Sequence, residues 1–194
     1  IQIMKKLFLL ATIMLASVGA YAQHAVGSFT LQPKVGMTIA NLTGDNNCDS
    51  RIGFVGGAEL EYQATDIFSV SAGVLYSMQG AKYSENNLTQ TAKLDYVNIP
   101  ILANVYVVKG LAVKLGIQPG FNVNSKFEAS KGGSSLQSDI DAKTVDFSIP
   151  VGLSYEYSNV VLDARYNWGL TKTYEGVDSK NSVFQITLGY KFDL

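Results

Sequence analysis

The sequence predicts an all-β protein, an eight-stranded antiparallel up-and-down transmembrane β-barrel. Apolar and polar residues alternate with a period of two along eight segments, which is typical of strands with one apolar and one polar face. Each segment is at least as long as a tilted membrane-spanning strand of about 9–11 residues, whereas about 5–6 residues are usual in globular proteins. Short and long connections alternate between the segments, as in outer-membrane barrels.

The first element is a leader rather than a strand. Met4, Lys5 and Lys6 form a positive start, residues 7–18 form a short apolar run, and residues 20–22 read Ala-Tyr-Ala. This pattern predicts a secretory signal peptide over residues 1–22, with start-region residues 1–3 preceding its Met, and a barrel domain over residues 23–194. The apolar run is shorter than the roughly 20 residues of a spanning helix.

The eight alternating segments follow in order. In the first, Val35 and Met37 lie on one face and Gly36 lies between them on the other. The same rule gives the segments 29–39, 51–63, 68–79, 96–107, 111–123, 145–157, 160–168 and 184–192. In lipid, an open sheet would leave unpaired N–H and C=O groups at its edges, so we expect these strands to close into a barrel.

The connections predict how the barrel is oriented. Short turns are expected at residues 65–66, 109–110 and 158–159, and long polar loops at residues 42–50, 82–93, 125–144 and 170–181. Short periplasmic turns and long extracellular loops place both termini in the periplasm, because the strand number is even.

Aromatic residues gather near the ends of the apolar faces, where amphipathic rings meet the membrane interfaces. Strands are rich in aromatic residues in any case, but the positions favour two girdles. The expected girdle on the short-turn side comprises Phe29, Tyr62, Phe68, Tyr155, Tyr157 and Phe192, and the one on the long-loop side comprises Phe54, Tyr76, Phe121, Tyr166 and Trp168.

The polar faces predict a filled and charged lumen, since eight strands enclose just enough space for side chains. Both signs are present, so buried charges can pair. If the first hairpin keeps its register, Lys34 faces Glu59 and Gln32 faces Glu61. The expected lumen charge network comprises Lys34, Arg51, Glu59, Glu61, Lys114, Asp146, Glu156, Asp163, Arg165 and Lys191.

The residue inventory argues against several chemistries. His24 is the only histidine and precedes the first strand, so we expect no Ser-His-Asp site within the barrel and no enzymatic activity. Glu59 and Glu61 are a candidate acid–base pair, or, as we favour, partners of lumen cations. Acidic loop residues are either a weak Ca²⁺ site or a solvated surface; they are Asp45, Asp49, Asp139 and Asp141. We expect no cofactor and no metal.

The charge and cysteine content limits the kinds of partner that we expect. Only 16% of the residues are charged, against about a quarter in soluble domains. Without Lys5 and Lys6, 13 basic residues remain against 16 acidic ones, which argues against nucleic acid. The single Cys48 cannot form an internal disulfide bond. We expect a monomer in contact with outer-membrane lipid and lipopolysaccharide, with protein partners at the extracellular loops.

Four sequence elements resemble the PorT-type family of small outer-membrane β-barrels. They are residues 96–102 (YVNIPIL), 115–120 (LGIQPG), 146–152 (DFSIPVG) and 188–192 (LGYKF), and the resemblance spans nearly the whole mature chain. In outline the chain is also similar to OmpX- and OmpA-type barrels. The resemblance implies an integral outer-membrane protein and, for the named member, a link to type IX secretion and gliding.

Four functions remain open from the sequence. The long polar loops and filled lumen favour a structural or interaction barrel without catalysis. The resemblance alone suggests a component of a type IX secretion or gliding apparatus. A narrow channel is the third, and the fourth is a soluble lipocalin-like carrier with its apolar face turned inward. The glycine-rich, weakly charged polar face argues against the carrier.

Overall fold

The computed structural model describes residues 24–43, 49–85, 88–131, 134–139, 142–173 and 179–194. The predicted signal peptide lies outside these residues, as do Asp45, Cys48 and Asp141. In the described ranges, no helix has the length and apolar character needed to cross a membrane.

The described residues form antiparallel β-structure almost throughout. In chain order the strands are β1 Phe29–Leu42, β2 Asp49–Thr65, β3 Phe68–Glu85, β4 Leu88–Asn98, β5 Ile101–Val108, β6 Leu111–Lys131, β7 Ser134–Asp139, β8 Val145–Tyr157, β9 Val160–Gly169, β10 Asn181–Tyr190 and β11 Phe192–Asp193.

These strands close into a ring of eight. Each pairs antiparallel with its neighbours, and β1 pairs with both β2 and β10, which leaves the ring without an open edge. β4 and β5 share one ring position, β7 follows β6 outside the ring, and β11 continues β10 beside β1. The predicted eight-stranded up-and-down barrel is therefore confirmed.

Pro100 explains why the fourth ring position is split into two strands. Proline has no backbone N–H to donate to a ladder. The pairing nevertheless continues across the break, because the Ile99 N–H donates to the Pro119 carbonyl at 2.8 Å and the Gly73 N–H donates to the Pro100 carbonyl at 3.1 Å.

The short turns lie close to their predicted places. Ser158 and Asn159 join β8 to β9 with φ of 47° and 69°, the left-handed conformation that a two-residue hairpin turn requires. Gly110, with φ of 80°, joins β5 to β6. Asp66 and Ile67 join β2 to β3, one residue later than the sequence predicts.

Two of the predicted loops are β-hairpins. The sequence predicts long polar loops at residues 82–93 and 125–144, but β3 continues to Glu85, β4 begins at Leu88, β6 continues to Lys131 and β7 follows at Ser134. Residues 79–85, 88–94, 125–131 and 134–139 pair as a four-stranded sheet, β3–β4–β6–β7. We call it the projecting sheet; it lies on the long-loop side of the ring.

The polarity of the ring is inverted relative to that of a soluble protein. Ile52 is 71% exposed and Leu115 is 55% exposed, whereas Lys34 is 2% exposed and Asp163 is 0% exposed. Because the exposed belt is apolar and the enclosed volume is charged, the outer surface suits hydrocarbon and not water.

Candidate functional site

The lumen is the candidate site, and all ten charged residues predicted for it lie inside the ring. Each is buried, and Arg51 is the most accessible at 8% exposed. The structure joins eight of them in two clusters. They are Lys34, Glu59, Lys114, Asp163 and Arg165 at the centre, and Glu61, Glu156 and Lys191 nearer the short turns.

Arg165 on β9 holds the central cluster together. Its Nη1 and Nη2 donate to Glu59 Oε1 and Oε2 at 2.6 and 2.8 Å. Its Nε and Nη2 donate to Asp163 Oδ1 and Oδ2, both at 2.7 Å. The planar guanidinium thus binds two carboxylates edge-on, in the bidentate geometry that Arg supplies and Lys does not.

Two lysines complete the central cluster. Lys34 Nζ lies 2.8 Å from Glu59 Oε2 and 3.6 Å from Asp163 Oδ2, while Lys114 Nζ lies 2.9 Å from Asp163 Oδ2. The cluster therefore sets three cations against two carboxylates, all without appreciable contact with solvent.

The register of the first hairpin differs from the expected one by two residues. Glu59 lies opposite Gln32, and Lys34 lies opposite Gly57. Gly57 has no side chain, so the Lys34 chain reaches diagonally to Glu59. Glu61 lies opposite Thr30 and not opposite Gln32. The expected facing pairs are therefore wrong, although Lys34 and Glu59 are in contact.

A second cluster lies nearer the short turns. Lys191 Nζ lies 3.0 Å from Glu61 Oε2 and 3.0 Å from Glu156 Oε2. The Tyr106 hydroxyl donates to Glu61 Oε1 at 2.5 Å, and Lys191 Nζ donates to the same hydroxyl at 3.1 Å. Together the clusters hold four cations and four carboxylates, so the buried charges balance.

His24 reaches the end of this second cluster. Its Nε2 lies 2.8 Å from Glu156 Oε1 and its Nδ1 lies 2.6 Å from Asp193 Oδ1. The sequence places His24 before the first strand, which the structure bears out, but its side chain returns to the mouth of the lumen. This return depends on the path of the chain, and no sequence motif signals it.

The remaining two predicted lumen residues lie apart, toward the long-loop side. Arg51 Nη1 lies 3.5 Å from Asp95 Oδ1 and donates to the Gln79 carbonyl. Asp146 Oδ1 accepts a hydrogen bond from Thr171 Oγ1 at 2.5 Å. Sequence reasoning did not single out Asp95.

Apolar side chains fill the lumen above the central cluster. Val55 and Leu75 are each 0% exposed, and Val183 is 1% exposed; Leu94, at the base of the projecting sheet, is also 0% exposed. Most side chains that point into the lumen are polar. The alternation of apolar and polar residues therefore did not identify these apolar side chains as inward-facing. The apolar side chains and the ion-paired clusters are both shielded from solvent.

The predicted girdle residues lie on the outer face. Ten are exposed and Phe68 is half-buried. Phe29 and Tyr62, on paired strands, have ring centroids 4.8 Å apart. Within the described ranges, no group of three or more His, Cys, Asp or Glu side chains is arranged to hold a metal ion.

A closed ring with an apolar belt and a charged interior defines an outer-membrane β-barrel protein. Residues 21–175 match the family described as outer membrane protein beta-barrel domain, and the chain belongs to that family. The protein therefore lies in the bacterial outer membrane. No curated protein matches the chain.

Solved structures of other small barrels are similar to this chain. Neisserial surface protein A is 17% identical with a TM-score of 0.51, over 84% of this chain and 97% of that one. Ail of Yersinia pestis is 19% identical with a TM-score of 0.48, over 87% and 100%. OprG of Pseudomonas aeruginosa is 12% identical with a TM-score of 0.47, over 87% and 97%. At these identities the likeness to the neisserial protein concerns the fold alone.

Proposed function

We propose that this outer-membrane barrel is a non-conducting, non-enzymatic scaffold that presents the projecting sheet to protein partners outside the cell. The observation that carries the proposal is the continuation of β3, β4 and β6 beyond the ring as paired β-structure, with β7 added along β6. A regular sheet offers a partner a fixed surface, so less conformational entropy is lost on binding than with an irregular loop.

Cross-strand contacts stabilise the projecting sheet. Lys93 on β4 is ion-paired with Glu128 on β6, and Gln137 Nε2 on β7 donates to Glu128 Oε2 at 2.7 Å. Asp49 on β2 lies opposite Lys82 on β3. Such pairs are the unit of sheet stabilisation, and here they link β2 to β3 and, separately, β6 to both β4 and β7.

The outer strand of the sheet provides the contact surface. Within the described residues, β7 pairs only with β6, and Leu136 at its centre is 79% exposed. An unpaired strand edge can accept an extended segment of another polypeptide through main-chain hydrogen bonds.

A photo-crosslinking amino acid at position 136 on living cells tests the proposal. We expect adducts with extracellular proteins, and we expect the same proteins to be lost from co-purification with the otherwise unmodified chain when residues 126–139 are replaced by an Asn-Gly turn. Val26, exposed at the short-turn side, is the matched control position and should give none. Persistence of every surface interaction in the shortened variant would contradict the proposal.

The filled lumen supports the absence of conductance and of catalysis. Buried ion-paired and buried apolar side chains both lie within the lumen, and the only histidine is held between two carboxylates. We assign the ten lumen residues to stability and the girdle residues to the membrane interfaces. Steady currents from the purified protein in planar bilayers would refute the closed lumen.

A role in type IX secretion is a second proposal. It is supported only by the PorT-like elements at residues 96–102, 115–120, 146–152 and 188–192. Co-purification of secretion-apparatus proteins with the full chain is the expected result, and their absence after mild crosslinking would argue against it.

Processing and assembly state complete the proposal. We infer cleavage after Ala22 and a monomer in contact with lipid and lipopolysaccharide. Amino-terminal sequencing of protein purified from membranes should begin at Gln23, and its mass in nanodiscs should correspond to one chain.

A further inference from the structure

Residues 24–28 lie at the short-turn mouth of the barrel and contact it on two sides. On one side, the Gly27 N–H donates to the Gln63 carbonyl at 2.7 Å and the Gln63 N–H donates to the Ser28 carbonyl at 3.0 Å. On the other side, His24 contacts Glu156 of β8. β2, which carries Gln63, and β8 are four positions apart in the ring of eight, so the segment and the side chains of His24 and Glu156 together connect opposite sides of the lumen mouth.

We propose that residues 24–28 form a strap that closes the periplasmic mouth, and that His24 holds it shut only while its imidazole carries two protons. The proposal concerns the periplasmic end and does not depend on the partners proposed for the projecting sheet.

The hydrogen-bond geometry of His24 requires the doubly protonated ring. Both ring nitrogens lie within 2.8 Å of a carboxylate oxygen, Nε2 on Glu156 and Nδ1 on Asp193. An ionised carboxylate only accepts hydrogen bonds, and only the imidazolium donates from both nitrogens. Loss of one proton would set a nitrogen lone pair against a carboxylate oxygen and so break one of the two attachments.

The groups around the imidazole shift the pKa of His24 in both directions. The hydrogen bond with Glu156 raises the pKa of His24 above its ordinary 6.5, burial and the nearby Lys191 oppose that rise, and Asp193 adds to it. Lys191 is itself paired with Glu61 and Glu156 and bonded to the Tyr106 hydroxyl. Because the pKa of His24 is higher in the folded protein than in the unfolded chain, the stabilisation of the strap is complete below pH 6.5. It is lost as the pH rises through the folded-state pKa.

The single histidine makes the experiment direct. His24 gives the only imidazole signals in an NMR titration of the mature chain in nanodiscs, because the sequence contains one His. We expect its pKa to lie above 6.5 and to fall in Glu156→Gln and in Asp193→Asn. Asp66→Asn, which removes a carboxylate from the exposed β2–β3 turn, is the matched control and should leave it unchanged.

Amide exchange at Gly27 reports whether the strap itself opens. We expect the protection of this N–H to fall about tenfold between about pH 5 and about pH 9, the scale of a lost charge-assisted hydrogen bond. In His24→Gln it should be low at both values. Asp193→Asn guards against a folding defect in Glu156→Gln, since Asp193 is exposed at the chain end. A His24 pKa that is unchanged in both carboxylate variants, or equal protection of the Gly27 N–H at the two pH values, would overturn the proposal.

Discussion

Inward glycines determine where inward charges can reach in this barrel. A Cβ added at Gly57 would lie 2.1 Å from the Val74 carbonyl oxygen, so no other residue fits there without a backbone shift. The same missing side chain lets Lys34, directly opposite, extend to Glu59. The backbone packing and the ion pair thus depend on one residue choice.

Arg165 should be the most costly single charge to remove. Arg165→Met leaves Glu59 and Asp163 buried with only lysine partners, and breaking a buried pair costs about 3–5 kcal/mol. Urea unfolding in lipid vesicles, followed by the fluorescence of the single Trp168, measures the change. Lys109→Met, at the exposed β5–β6 turn, is the control and should stay within about 0.5 kcal/mol. A loss near the control value for Arg165→Met would show that the lysines neutralise both carboxylates unaided.

The sequence predicted which residues face inward more completely than it predicted their partners. The side-chain direction follows from the period of two alone, and Asp163, Arg165 and Lys191 all lie inside as expected. Which charges touch depends on the register, and the sequence does not fix the register of two strands that are separated by six residues, 43–48. Inward apolar residues such as Leu75 were missed because their chemistry resembles that of the outer face.

At the scale of elements, the β8–β9 turn also supports the last strand. Asn159 has a positive φ, its carbonyl accepts the Lys191 N–H at 2.8 Å, and its Nδ2 donates to the Lys191 carbonyl at 3.1 Å. These bonds lie close to the break between β10 and β11, at the closing seam where both strands pair with β1. Pro33 of β1 lies at the same break and has no N–H to donate across the seam.

Asn159→Ala should therefore loosen the closing seam. The substitution places alanine in a left-handed conformation and removes the side-chain bond, which together cost about 1–2 kcal/mol. Loss of heat-modifiable migration at a lower temperature is the expected readout. Asp66→Ala, in the β2–β3 turn, serves as the control because no positive φ is recorded there. Equal melting of the two variants would mean that the turn does not support the seam.

The hairpins of the projecting sheet were not predictable from the alternation. Lipid imposes a strict apolar face on the spanning strands, but residues 82–85, 88–93 and 125–131 pair outside the ring, where polar side chains are tolerated on both faces. Thr91, Lys93 and Glu128 carry no periodic hydrophobic signal, so composition suggested loops. Only pairing between distant segments reveals the sheet.

At the scale of the whole molecule, one chain meets three surroundings. Its belt meets hydrocarbon, its lumen is closed by paired charges and its projecting sheet meets water. Exposure alone does not separate the belt from the sheet, because Leu115 is 55% exposed and Leu136 is 79% exposed. Their positions do separate them. Leu115 lies on a strand of the ring, opposite Val151 and Ala103, whereas Leu136 lies on β7, which is not part of the ring.

The same substitution at these two leucines should have opposite consequences. Leu115→Lys puts a charge into the middle of the belt, where a barrel loses about 2–4 kcal/mol for Lys near the bilayer midplane. Leu136→Lys exchanges one water-exposed side chain for another and should stay within about 0.5 kcal/mol. Unfolding in vesicles of both variants measures the difference. Equal stabilities would mean that Leu115 does not face hydrocarbon, and an apolar belt that water covers could not belong to a membrane-spanning barrel.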